Sequence, residues 1–338
     1  MTANKSLCFA LLLLLAAGAG FCADKDTVSA DELLAQARRL EVWSEGSPAV
    51  TMQAELSIAD PKNGTVHGSY ALVWKSTTHW KDQIHFANYD RVRVRDGQTL
   101  WQKSSLDYQP LVIFQLDNLL NAKDELSFLP NQKLKRSSRR KERGAEDTCT
   151  AVQWDTGTAR TLCFDPVSGA LVRVDYPTGE SQNTPAINRI EYGSFAMVEG
   201  KLVPNEVQAY RDRQMVAEVK ITEISKPTGN SLTELNPPPG AEAWPTCDDL
   251  LAPVLTTHVS PRYPQSARDH HVEGRVTFYA VVEADGTLSR LRPIEGTDPS
   301  LLAATAQALS QWRYKPATCG QTPVRMETSV SADFWLRY

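Results

Sequence analysis

Six histidines, six cysteines and forty acidic residues are the side chains with which this 338-residue chain could do chemistry. Their spacing argues against most of it. His67, His79, His85, His258, His270 and His271 show no metal-ligand spacing. Adjacent His270 and His271 are expected on different sides of a helix, and His79 and His85 read as solvent-facing residues on one strand face. No G-x-S-x-G, H-E-x-x-H, P-loop or G-x-G-x-x-G occurs. No motif brings two acids together in a pocket. The reading is of a non-catalytic protein with no catalytic residues, no metal site and no cofactor.

The cysteines carry a clearer signal. With Cys8 and Cys22 set aside in an apolar leader, Cys149, Cys163, Cys247 and Cys319 form an even set, as expected in an oxidising compartment. Cys149 and Cys163 lie in two short runs joined by Asp155-Thr156-Gly157, and a three-residue hairpin loop places them opposite each other. Cys247 and Cys319 are left to pair with each other. Four metal ligands are the alternative, but no C-x-x-C spacing supports it. The leader itself, Lys5 followed by "LCFALLLLLAAGAG", is short of the roughly 20 apolar residues of a membrane span. Residues 1–23 read as a signal peptide cleaved near Ala19 or between Cys22 and Ala23. Phe21 is too large for a lipoprotein cleavage box, and an uncleaved membrane anchor is the alternative.

A net charge of −4 argues against a nucleic-acid partner. The segment "KLKRSSRRKERG", Lys133 to Gly144, is nonetheless strongly basic. It suits anionic headgroups or an acidic partner, against the simpler reading of a solvated loop or strand face.

Strands supply most of the framework. A helix opens at a Ser29/Glu32 capping box, with Leu33, Ala37, Leu40 and Trp43 on its apolar face. A meander follows, punctuated by Asn63-Gly64 and Asp96-Gly97 turns and interrupted by a helix over Leu111–Ala122 carrying Val112, Leu116, Leu119 and Leu120. Further strands run to residue 226. Trp74, Trp80, Trp101, Phe114 and Phe128 either fill the core of this region or line a cavity. Pro227, Pro237, Pro238, Pro239, Pro245 and Pro253 then break any long element, so residues 227–253 read as a linker crossed by few contacts.

The last stretch is a compact unit of short helix, hairpin, helix and strand. Val276, Phe278, Ala280 and Val282 alternate with Arg275, Thr277, Tyr279 and Val281. Asp285-Gly286 makes the turn, and Pro293 places the return strand at an edge or ends it. Asp298 caps a helix with Pro299 at its first position, whose stripe ends at Trp312. In the final strand Val324, Met326, Thr328, Val330, Ala332, Phe334 and Leu336 face one way. Arg325, Glu327, Ser329, Ser331, Asp333 and Arg337 face the other, with Trp335 the exception. This predicts a half-buried strand with a helix on one side.

These residues resemble the C-terminal domain of the TonB family over roughly a quarter of the chain. Tyr263-Pro264 with Ala267-Arg268 matches its opening helix, Glu273-Gly274 with Val276 the start of its first strand, and Asp285-Gly286 its hairpin turn. "WRYKPA" from Trp312 to Ala317 matches its helix exit, and Gly320 with Pro323-Val324 the approach to its final strand. The resemblance implies a non-catalytic peptide-binding module beside whose sheet a short segment of an outer-membrane transporter pairs. It makes Tyr263 a candidate peptide-binding residue, and an open edge on the final strand adds Ser329, Ser331 and Asp333; the alternative is an edge simply blunted by the charges of Arg325, Glu327, Asp333 and Arg337.

Residues 26–226 are similar to the LolA/LolB-like periplasmic fold in the order and length of their elements, most closely in "FDPVSGALVRVDY" and "GKLVPNEVQAYRDRQMVAEVKITEI". That resemblance implies a curved sheet around helices that can enclose an apolar cavity. The expected fold class is therefore α+β. It comprises a signal peptide at 1–23, a LolA/LolB-like half-barrel at 26–226, a Pro-rich linker at 227–253 and a domain at 254–338. The latter is a TonB-like three-stranded antiparallel sheet with two helices. The expected function is a periplasmic binding protein accessory to outer-membrane transport or lipoprotein traffic. The alternatives are an anchored energy transducer, which lacks its usual long Pro-rich spacer here, and a carrier with a lipid or lipoprotein ligand.

Overall fold

The structure is a computed structural model that describes residues 29–336 except 42, 44–45, 61–63, 121–125, 127–131, 136, 143–144, 155–156, 178–186, 212, 229–234 and 248. The signal peptide, Asn63, the Asp155-Thr156 turn, Phe128 and Arg337 lie outside the described residues.

Period-2 burial builds the first sheet. β1 (Val50–Asp60) buries Val50, Met52, Ala54, Leu56 and Ile58 and sits between β2 (Gly64–Ser76) and β13 (Gln214–Ser225). From β2 the sheet runs outward through β3 (His79–Phe86), β4 (Tyr89–Asp96) and β5 (Thr99–Ser104). Beyond β13 come β12 (Lys201–Arg211), β11 (Arg189–Val198), β10 (Leu171–Asp175), β9 (Gly157–Phe164) and β8 (Ala145–Trp154). The short strands β6 (Lys133–Leu134) and β7 (Ser138–Glu142) both pair with β8. Every pairing is antiparallel, as hairpin connections require.

One face of this sheet is the core face. α1 (Ala30–Leu40) opens with the expected box: Ser29 Oγ accepts from Glu32 N at 3.2 Å and Glu32 Oε2 from Ser29 N at 3.0 Å. It buries Leu33, Leu34 and Ala37. α2 (Leu111–Leu120) lies on the same face and buries Ile113, Leu116 and Leu119 completely, a stripe one residue away from the expected one at Val112.

The proline-rich join is more than a linker. Within it β14 (Glu242–Pro245) pairs with β5 and extends the sheet to fourteen strands. Pro245 is tolerated because the strand is at a margin.

Beyond the join are β15 (Leu250–Leu251), β16 (Val254–Thr257), α3 (Gln265–Asp269), the hairpin β17 (Gly274–Val282) and β18 (Leu288–Glu295), then α4 (Pro299–Leu309). β19 (Arg313–Lys315), β20 (Ala317–Cys319), β21 (Thr322–Val324) and β22 (Met326–Phe334) complete the unit. The main sheet is three-stranded as expected, in the order β18-β17-β22, but two small sheets, β15-β20-β21 and β16-β19, accompany it. β18 continues through Pro293, which the edge position allows. Asp298 caps α4 by accepting from Ser300 N at 2.9 Å and Leu301 N at 3.0 Å. α4 covers Val276, Phe278, Ala280, Val282, Val330 and Phe334.

Candidate functional site

The final strand β22 is the structural centre of the candidate site. It pairs with β17 from Gly274↔Phe334 to Val282↔Met326, and no strand among the described residues pairs with its other edge. The alternation holds as expected, with Val330, Ala332 and Phe334 turned to α4. The second face is solvated only toward its end, where Asp333 is exposed. Ser329 and Ser331 are each 8% exposed, because the other side of the small sheet packs on the first domain.

That packing is specific. Tyr279 and Val281 of β17 and Trp244 of β14 form a buried cluster against Leu100, Tyr108, Phe114 and Ile294. The Phe114 ring lies 6.2 Å from that of Tyr279. Arg325 and Arg290 stand over the Trp244 ring at 4.2 and 5.5 Å and both pair with Glu242, at 2.8 and 2.6 Å. The two guanidinium groups, Arg290 hydrogen-bonding foremost, hold the Glu242 carboxyl below the ordinary glutamate range. Arg292 reaches Asp107 at 2.5 Å.

Deeper in, Glu327 crosses to the core face of the first sheet. It accepts from Tyr279 Oη at 2.7 Å and Gln102 Nε2 at 3.1 Å. Close by, Asp117 of α2 binds Arg91 at 2.6 Å and Arg93 at 3.1 Å, and Arg93 also pairs with Asp82. Burial pushes the Glu327 carboxyl up, against hydrogen bonding from Tyr279 and the charge of Arg91. Asp117 is also raised by burial, but its two arginines outweigh this and hold it down to about 2.

The candidate residues therefore divide. Ser331 Oγ is spent inside the sheet, 2.9 Å from Thr277 Oγ1, which donates to Glu295 at 2.6 Å. Asp333 pairs across the strands with Arg275 at 2.7 Å. Tyr263 lies on the opposite, α4 side, donating to Val272 O at 2.6 Å with its ring edge-on to Phe334 at 5.3 Å. The structure thus brings Ser329, Ser331 and Asp333 onto one face of β22 and leaves Tyr263 apart. The expected edge charges are otherwise engaged: Arg325 and Glu327 fix the domains together. The apolar side chains of Tyr279 and Val281, on the face of β17 that alternates with the core row, are the sequence signal of a second covered face.

The cysteines meet as expected. Cys149 is in register with Cys163 at a Cα separation of 4.1 Å, and Cys247 and Cys319 are at 5.8 Å, both at bonding distance. The second pair ties the segment leaving β14 to β20. Among the described residues no group of histidine, cysteine or acid is placed to hold a metal. His79 pairs with Asp96 at 3.3 Å and His85 with Asp90 at 2.5 Å on the solvent side, while His270 and His271 lie past the end of α3.

Residues 259–336 match the family model of the Gram-negative bacterial TonB protein C-terminal. The match spans under a quarter of the chain. In backbone, the Pseudomonas aeruginosa TonB C-terminal domain overlaps 27% of this chain and 91% of its own, at 23% identity and a TM-score of 0.23. A LolA superfamily protein of Nitrosomonas europaea covers 60% of this chain and 94% of its own at 10% identity and a TM-score of 0.38. The Pseudomonas aeruginosa MucA/MucB complex structure covers 89% and 93% at 11% identity and a TM-score of 0.27. None of these likenesses speaks to activity. No curated protein matches the chain.

Two adjoining apolar spaces of about 50 and 60 Å³ lie between the helices and the sheet, both touching Glu41, Tyr192, Leu202 and Pro204. Trp43, Met52 and Leu119 line the larger. The tryptophans and phenylalanine singled out in the sequence do not line either: Trp74 packs in the core against Trp43, and Phe114 faces the TonB-like domain.

Proposed function

We propose that this is a non-catalytic binding protein of the cell envelope that takes an extended peptide along the free edge of β22, the peptide belonging to an outer-membrane transporter or another envelope protein. The observation that carries the reading is an edge strand paired on one side alone among the described residues, within the stretch that matches TonB C-terminal domains. An edge of this kind presents a row of backbone N–H and C=O groups to which a strand can add. Two cysteine pairs at bonding distance suit an oxidising, periplasmic location. The first domain acts as the rigid mount.

Fluorescence anisotropy with a labelled transporter-derived peptide tests the reading. Adjacent residues of a strand direct their N–H groups to opposite sides, so of Thr328→Pro and Ser329→Pro the one that removes the edge-facing N–H should abolish binding. Ser331→Ala should cost about 1 kcal/mol of stability through the lost Thr277 bond and leave affinity nearly unchanged. Retained binding in both proline variants, each confirmed folded, would sink the proposal.

A lipid or lipoprotein ligand is the second reading, favoured by the apolar spaces beneath α1 and α2. As they stand, these have room for only a few water-sized molecules, so an acyl chain would require a helix to move. Native mass spectrometry of the purified protein should show co-purified lipid on this reading and none on the first.

A further inference from the structure

The long sheet ends differently at its two margins. At one, β14 covers β5, and Arg325 donates from Nη2 to Ala243 O at 2.7 Å. At the other, β6 and β7 lie in turn along β8, whose remaining side is taken by β9. No strand among the described residues pairs with the outer edge of either. This margin is basic: Lys133, Lys135, Arg139, Arg140 and Lys141 are all exposed, in a chain of net charge −4. The acids beside them are fewer: Glu142 ends β7, and β8 brings two more opposite it. Glu146 faces Lys141 and Asp147 faces Arg140, but Asp147 is held by Arg173 at 3.0 Å.

We propose that β7 is a second docking edge, to which an acidic, extended segment of a partner protein adds as a strand. Three physical points favour this occupant. A strand edge offers backbone hydrogen bonds that only another extended chain can use in a row. Side chains alternate, so Arg139 and Lys141 flank one side of the edge and Arg140 the other. A partner strand lying in the plane of the sheet meets both sets, whereas a flat anionic bilayer meets one. Finally, blunting an edge against aggregation takes a single well-placed charge. A run of one sign goes further and selects the charge of the strand that can pair.

The test uses the full chain and labelled peptides of about ten residues, somewhat longer than a typical strand. One alternates glutamate with threonine, one alternates lysine with threonine, and one is the acidic peptide with a central proline and unchanged charge. The acidic peptide should bind and weaken with added salt, and the lysine peptide should not bind. The proline should cost about ten-fold in affinity, the worth of one or two ladder bonds. The double variant Arg140→Glu, Lys141→Glu, exposed on the margin and checked by its melt, should lose the acidic peptide while retaining the β22 ligand. Equal binding of the proline peptide would reduce the site to diffuse ionic attraction. Flotation with anionic phosphatidylglycerol vesicles in the absence of peptide binding would assign it to membrane. Either result, or no binding at all, overturns the proposal.

Discussion

Glu327 shows how much one side chain can report. It leaves a strand of the TonB-like sheet and is buried against Gln102 of the first domain. Since burial raises its pKa, the folded protein holds that proton more tightly than the unfolded chain. Its contribution is therefore most favourable at low pH, declines as pH rises from the ordinary glutamate value of about 4.3 to the raised one, and is level above it. Glu327→Gln keeps the acceptor for Tyr279. It should remove this slope and leave neutral-pH stability unchanged or higher in melts taken between about pH 4 and pH 8. A clear loss at neutral pH would show that the charge itself stabilises docking. Asp117 has the opposite sign. Held down to about 2, it contributes above the ordinary aspartate range and is lost as pH falls toward that value. Asp117→Ala takes the carboxylate from the buried Arg91 guanidinium, while Arg93 keeps Asp82, and should cost about 3–5 kcal/mol in urea unfolding.

At the scale of the element, the β17–β18 turn illustrates a legible residue with an illegible reason. Asp285-Gly286 signals a hairpin in any sequence. Here Gly286 has φ +83°, donates to Glu283 O and accepts from Tyr314 N at 2.9 Å, and a Cβ there would meet Tyr314 O at 2.0 Å. Gly286→Ala should therefore cost more than the 1–3 kcal/mol, roughly, that a left-handed backbone alone imposes. A melt showing a smaller loss would mean that the β19 segment gives way freely. The disulfides form a graded pair at the same scale. Cys247–Cys319 spans 72 residues and Cys149–Cys163 spans 14. In the chain-entropy picture these are worth about 4 and 3 kcal/mol, so paired serine replacements should rank in that order by urea denaturation.

For the whole molecule, the join between domains is a structural element. Residues 242–245 belong to the first sheet by pairing with β5, touch the second domain through Trp244, and are followed at once by the Cys247 cross-link. The expectation of few contacts across this segment gives way to a buried cluster ringed by Arg290, Arg292, Arg325 and their acids. Coupling follows: far-ultraviolet and near-ultraviolet signals should melt together in one transition. Trp244→Ala removes the centre of the cluster, at about 3–5 kcal/mol for a buried tryptophan, and should separate the transition into two. Two transitions in the unaltered protein would show that the docked arrangement adds little.

Local signals carried the elements. The Ser29/Glu32 box, the Asp298-Pro299 helix start, the Asp285-Gly286 turn and the facing cysteines are properties of a few neighbouring residues, and each appears where the chain placed it. Alternation likewise identified β22 and the residues it turns to α4. What alternation cannot encode is the fate of a polar face. Ser329, Ser331 and Glu327 look solvated in sequence because they alternate with an apolar row, yet the first domain covers them, and a carboxylate is tolerated there only because Tyr279 and Gln102 reach it from separate elements. The same holds for the prolines of the join. Their spacing excludes long elements, but only tertiary structure supplies a sheet margin where a four-residue strand ending in proline can pair. Local chemistry decided where elements begin and turn, and long-range packing decided which of their faces remain available to a partner.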